Sequence, residues 1–133
     1  MQTRKITVNG SILVVDDEAA TRMMLRMMLQ LDGFTIQEAN DGIDALEQIE
    51  IHPPDLLILD VMMPRMDGIT LCKILRERLK TASLPIIMLS GKVQPKAERE
   101  GLEAGANLYL HKPTPRKVLS QHVSSLLEET VYA

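Results

Sequence analysis

The sequence predicts an α/β protein, a doubly wound open sheet of parallel strands with helices on both faces. Three observations carry that expectation. Short apolar runs alternate with helical patterns along the 133 residues, a (βα)5 arrangement in a length that suits one domain with one sizeable core. The runs at 11–15, 56–60 and 85–89 are continuously apolar rather than alternating, as strands buried on both faces must be. Glycine, proline and capping residues punctuate the segments at the places where helices should begin or end.

The elements follow in order. "SILVV" (11–15) is the first strand, and the helix after it runs from about Ala19 to Leu31, stopping at Asp32-Gly33. On a helical wheel Leu25, Met28 and Leu29 share a face with Thr21 and Asp32, with Met24 at its flank. Met23 and Met27 fall on the opposite side, an i,i+4 pair facing solvent. "FTIQEA" (34–39) reads as the second strand and "DGIDALEQIE" (41–50) as a helix broken by "HPP" (52–54). "LLILD" (56–60) is the third strand. "DGITLCKILRERLK" (67–80) is a helix with Asp67 at its N-cap, and Cys72 sits among Leu71, Ile74 and Leu75 as core packing. "PIIML" (85–89) is the fourth strand, and a helix from Pro95 to Ala104 ends at Gly105. "NLYL" (107–110) is the fifth strand. The last helix opens at Thr114-Pro115, a cap followed by an N1 proline, and runs to about Glu128. The folded unit is expected over 11–128, with polar tails at 1–10 and 129–133 and no internal repeat.

Composition excludes several function classes. A net charge of −3 supplies no general attraction to nucleic acid or to an anionic membrane. The absence of Trp, with two Tyr and one Phe, removes base-stacking surfaces and leaves an aliphatic core that nine methionines help to fill. One cysteine rules out an internal disulfide framework and fits a reducing cytoplasm. No apolar run approaches the roughly 18 residues of a membrane span, and "MQTRKITVNG" has no apolar signal core.

Sites in open α/β sheets lie beyond the carboxyl ends of the strands. There strand 1 delivers Asp16 and Asp17, strand 2 Glu38 to Asn40, strand 3 Asp60, strand 4 Ser90-Gly91 and strand 5 His111-Lys112-Pro113. Each residue alone has a structural use as a cap or turn former. Together they gather carboxylates, a hydroxyl and an ammonium on one edge. Clustered carboxylates repel and raise one another's pKa unless a cation joins them. Oxygen ligands suit Mg²⁺, which also neutralises phosphoryl groups. Lys112 adds a point charge and Ser90 a neutral hydrogen bond. Asp60 is the best-placed nucleophile, since carboxylates form acyl phosphates.

At these residues the chain resembles the response-regulator receiver domains of two-component signalling, of the chemotaxis-regulator type. "ILVVDDE" (12–18), "PDLLILDVMMPRMDG" (54–68), "PIIMLSG" (85–91) and "EAGANLYLHKP" (103–113) carry the likeness, which extends over about 11–128. The resemblance implies a flavodoxin-like sheet of strand order 2-1-3-4-5, with Asp60 as phosphoacceptor. It implies Mg²⁺ (or Mn²⁺) on Asp16, Asp17, Asp60 and the backbone carbonyl of Met62, with Asp17 the most direct ligand. Ser90 and Lys112 would contact the phosphoryl group, Tyr109 would be the switch aromatic, and Lys112–Pro113 a cis peptide. A sensor histidine kinase or histidine phosphotransfer protein would donate the phosphate. The surface of the fourth helix, fifth strand and fifth helix would then change shape to control an effector, with no part for nucleic acid or membrane at this domain. The domain would be a monomer or a phosphorylation-dependent homodimer, catalysing only its own phosphorylation and dephosphorylation. Met23 and Met27 are either isolated exposed methionines, which need no explanation, or a docking patch for the partner's helices. Gly91 stands where the family commonly has alanine, so the loop after Ser90 is expected to be more mobile. Met62 and Lys92 occupy variable flanking positions that tune phosphate lifetime.

Other classes fit less well. A haloacid-dehalogenase-type phosphotransferase needs a second aspartate two residues after Asp60, where Met62 stands. A flavodoxin-like cofactor carrier should cradle phosphate with amides and hydroxyls in its first loop, but Asp16-Asp17-Glu18 would repel it. A degenerate receiver serving only as an interaction module is opposed by the complete set Asp17, Asp60, Ser90 and Lys112.

Overall fold

The computed structural model describes residues 10–92 and 94–131, and for 129–131 the backbone alone. Of the expected tails at 1–10 and 129–133, residues 1–9 and 132–133 lie outside the described residues. Strands and helices alternate as β1 (Ser11–Val15), α1 (Ala19–Gln30), β2 (Thr35–Ala39), α2 (Gly42–Ile51), β3 (Leu56–Leu59), α3 (Gly68–Glu77), β4 (Ile86–Ser90), α4 (Pro95–Glu103), β5 (Leu108–His111) and α5 (Arg116–Val131). The strands pair in parallel, in the order β2-β1-β3-β4-β5. Fold class and strand order therefore match the expectation. The Lys112–Pro113 peptide is cis.

The strand alternation sorts the core into two layers. Ile12, Val14, Leu56, Ile58, Ile87 and Leu89 face α1 and α5, where Leu25, Leu29, Leu119 and Val123 meet them. Leu13, Val15, Leu57, Leu59, Ile86 and Met88 face the other way, towards α2 and α3 with Ala45, Ile49, Leu71, Cys72 and Leu75. β3 lies between β1 and β4, so all its side chains are buried. That is why its sequence shows no polar alternation. Among the described residues, no helix is long and apolar enough to cross a membrane.

Two helices differ from the sequence expectation by more than a residue. α3 stops at Glu77 rather than Lys80, with Arg78 extended at φ −99° and ψ 136°. Side-chain bonds, local and long-range, replace the missing turn. Thr81 Oγ1 donates to the Leu75 carbonyl at 2.6 Å. The Arg76 guanidinium donates to the carbonyls of Gly105 (2.9 Å), Thr81 (3.1 Å) and Ala82 (3.2 Å) and to Asn107 Oδ1 (3.0 Å). At the other end of the chain, α5 continues to Val131, so 129–131 are helix rather than tail.

The turn from β3 into α3 brings backbone against backbone. A Cβ added at Gly68 would lie 2.2 Å from the Asp60 carbonyl oxygen and 2.4 Å from Leu59 Cδ1. At Gly91 a Cβ would meet nothing within 4 Å, and its φ is not left-handed. The two glycines should therefore respond oppositely to alanine. Gly68→Ala is expected to lower stability by about 1–3 kcal/mol through overpacking. Gly91→Ala should raise it by about 0.5 kcal/mol by restricting the unfolded chain. Urea denaturation of the two variants checks the signs.

Candidate functional site

The ladders of β1 with β2 and with β3 carry their bonding one residue past the strands and so fix both aspartates. The Asp60 N–H donates to the Val15 carbonyl at 3.0 Å, and the Asp16 N–H to the Ala39 carbonyl at 3.2 Å. On the far side, the Lys112 N–H donates to the Ser90 carbonyl at 2.8 Å, extending β5 along β4. Asp16, Asp60 and Ser90 are buried; Asp17, one residue past the end of the ladder, is exposed.

Lys112 reaches across the edge to join the carboxylates. Its ammonium donates to Asp16 Oδ2 at 2.7 Å and stands 3.4 Å from Asp60 Oδ2. The other oxygens are held by backbone: Asp16 Oδ1 accepts from the Glu18 N–H at 2.9 Å, and Asp60 Oδ1 from the Val61 N–H at 2.7 Å. Burial pushes the Asp60 carboxyl above the usual carboxylate range; Lys112 draws it back, and the neighbouring Asp16 charge pushes the same way as burial. Burial alone would pull the Lys112 ammonium down, but its hydrogen bond to Asp16 and the two carboxylate charges outweigh this and raise it.

Carboxylate oxygens of Asp16, Asp17 and Asp60 lie within 4.8 Å of one another. One ammonium against these carboxylates leaves a net negative cluster of hard oxygen donors, which suits a magnesium-like dication. Met62 and Asp17 line the same cleft, together with Met63, Pro64 and Asp67.

Ser90 ends β4 with its hydroxyl turned to the next loop, where Oγ accepts from the Lys92 N–H at 3.0 Å. The Tyr109 ring is buried, and its hydroxyl donates to the Lys92 carbonyl at 2.8 Å. One peptide residue thus holds both side chains, a connection the sequence reading missed. Met23 and Met27 project from α1 at 60% and 59% exposure, with Met24 at 50%, so the outward face is apolar over three methionines rather than two.

A second group also escaped the sequence reading. Arg22 Nη1 donates to the Asp16 carbonyl at 2.6 Å, while Arg22 Nε and Arg26 Nε pair with Glu38 at 3.0 and 2.5 Å. The hydrogen bond from Arg26 leads in lowering the Glu38 carboxyl against the cost of burial, with Arg22 assisting. The available signal was a basic i,i+4 pair on α1 beside an acidic end to β2.

A carboxyl whose folded pKa is raised contributes stability when protonated and loses it as pH climbs through that pKa. At pH 7 the Asp60 charge therefore opposes folding. Asp60→Asn should melt higher than wild type in metal-free buffer at pH 7. A clear fall would mean that the ion pair with Lys112 outweighs burial.

The sequence matches the family described as "Response regulator receiver domain" over residues 12–124. Among curated proteins it is 44% identical over 119 residues to "Response regulator MprA" of Mycobacterium ulcerans, covering 90% of this chain and 50% of that protein. The chain thus spans about half the length of the curated relatives it matches. Among solved structures it resembles a putative response regulator from Chloroflexus aurantiacus (TM-score 0.86, 40% identity, 90% of this chain and 98% of that one). It also resembles the signal receiver domain of a signal transduction histidine kinase from Syntrophus aciditrophicus (TM-score 0.88, 32% identity, 93% and 94%).

Proposed function

The chain belongs to the response-regulator receiver domain family of two-component signalling, and from that premise we propose that Asp60 accepts a phosphoryl group in a divalent-cation-dependent reaction. The observation that carries this is the juxtaposition of Asp16, Asp17 and Asp60 with the Lys112 ammonium at one sheet edge. Asp16, Asp17 and Asp60, with the Met62 carbonyl, would hold Mg²⁺ or Mn²⁺, which when bound neutralises charge on the phosphoryl oxygens.

The chain's own residues do the rest. An Asp60 carboxylate oxygen forms a bond to phosphorus as the P–N bond of a partner's phosphohistidine breaks. The imidazole leaves with the electron pair and takes up a proton. Lys112, already between two carboxylates, exchanges one of them for a phosphoryl oxygen, so its charge is not desolvated anew. The Ser90 hydroxyl accepts from Lys92 but still has its own proton to donate to the phosphoryl group.

That donation moves Ser90 towards Asp60 and alters its bond to Lys92, whose carbonyl is the anchor of Tyr109. The switch is therefore a shift between two arrangements of the loop after β4, and its readout is the surface of α4, β5 and α5. A sensor histidine kinase or a histidine phosphotransfer protein supplies the phosphate, and a downstream effector reads the change. The domain acts in the cytoplasm, as a monomer or as a dimer formed on phosphorylation, and hydrolyses its own acyl phosphate.

Incubation with acetyl phosphate and Mg²⁺ should add one hydroxylamine-labile phosphate to the wild type and none to Asp60→Asn. A wild type that gains none, with no Mg²⁺-dependent response to beryllofluoride, would sink the proposal.

The outward methionines of α1 are the surface we assign to the phosphodonor, because methionine suits adaptable apolar contacts. Replacing Met23 and Met27 by Glu should slow transfer from the partner about tenfold or more, the scale of losing central interface side chains. Labelling by acetyl phosphate should be unchanged. Equal partner rates in wild type and the double variant would remove the assignment.

A further inference from the structure

The loop from Val61 to Asp67 is built in two parts. Its base is closed by backbone, the Gly68 N–H donating to the Val61 carbonyl at 2.9 Å. Its tip turns at Arg65, where the Met66 N–H donates to the Pro64 carbonyl at 2.7 Å and Arg65 has φ +67°. An i→i+2 bond about a residue of positive φ is a γ-turn of the rare, strained form. Such a conformation persists in a residue with a Cβ where surrounding contacts hold it.

The contacts that hold it come from the start of α2. Arg65 Nε donates to Asp41 Oδ2 at 2.6 Å. Asp41 is buried, and its other oxygen caps α2 by accepting from the Asp44 N–H at 2.9 Å. The adjacent Met66 side chain lies against Gly42, where an added Cβ would come within 2.8 Å of it. One carboxylate thus starts a helix and grips the tip of a loop 24 residues away. The hydrogen bond from Arg65 leads in holding the Asp41 carboxyl below its usual range.

We propose that the Arg65–Asp41 pair is a latch that sets the position of the β3–α3 loop, and with it the cation affinity of the site through Met62. This rests on the assignment of Met62 as a cation ligand. Asp41 and Arg65 are positioning residues; neither belongs to the Asp16, Asp17 and Asp60 cluster. Holding a ligand in place before the cation arrives removes an ordering cost from binding, and losing such support typically weakens metal affinity roughly tenfold or more.

Isothermal titration of the whole chain with MgCl₂ tests the latch, with wild type beside Asp41→Asn, Arg65→Gln, Arg65→Lys and Arg65→Gly. Asp41→Asn keeps an acceptor for the Asp44 N–H, so the helix cap survives while the ion pair is lost. Both Asp41→Asn and Arg65→Gln should bind Mg²⁺ roughly tenfold more weakly. Arg65→Lys, which retains the charge, should fall between them and wild type. Arg65→Gly adopts the turn without strain and guards against a folding defect; it should melt like wild type yet bind weakly. In the metal-free proteins, ¹³C-methyl NMR should show the Met62, Met63 and Met66 signals shifted or broadened wherever affinity falls. Wild-type affinity in Asp41→Asn and Arg65→Gln, or in Arg65→Gly, overturns the latch while leaving the proposed function standing. A wild type that binds no Mg²⁺ overturns both.

Discussion

The ammonium of Lys112 between Asp16 and Asp60 is the contact on which the acidic edge of the sheet depends. It joins the end of β5 to the ends of β1 and β3, across β4. Asp60 is pushed towards its neutral form by burial and by Asp16, and Lys112 opposes that push. A buried carboxylate near a like charge is stable only with such a partner. The cluster is still short of positive charge, and this shortage suits it to a dication.

What fixes the three side chains is backbone. Asp16 and Asp60 continue the ladders of their strands, and the Lys112 N–H continues that of β5. Each is rigid because the strand before it is apolar and packed in both layers. The remaining contacts of the site lie in the two loops beyond. Lys92 connects Ser90 with Tyr109 in one of them. Arg65 turns the other and is tied to α2. Strands thus hold the clustered carboxylates and the ammonium while loops carry the surrounding contacts, the usual division of labour in α/β sites.

The outward face of α1 and the inner cluster share one helix. Arg22 and Arg26 secure α1 to Glu38 and to the Asp16 carbonyl, while Met23, Met24 and Met27 face solvent. At its far end Asp32 accepts from Arg116 at 2.7 Å and from Ser120, tying the α1 end to α5. A partner seated on the methionines would press on a helix bonded to the acidic cluster at one end and to α5 at the other.

Apolar runs, caps and residue types at strand ends were enough to predict five parallel strands and to gather Asp16, Asp17, Asp60, Ser90 and Lys112 at one edge. These features are local, because strand burial and helix capping are written within a few residues of sequence. The tertiary structure alone decided the pairings: Lys112 with Asp16, Arg22 and Arg26 with Glu38, Arg65 with Asp41, and Tyr109 with the Lys92 carbonyl. It also ended α3 at Glu77, where Thr81 Oγ1 donates to the helix's own Leu75 carbonyl and Arg76 donates to the Gly105 carbonyl. The physical reason is the same in each case. A polar side chain's partner is set by which strands and loops the folded sheet brings beside it, and the chain order contains no record of that distance.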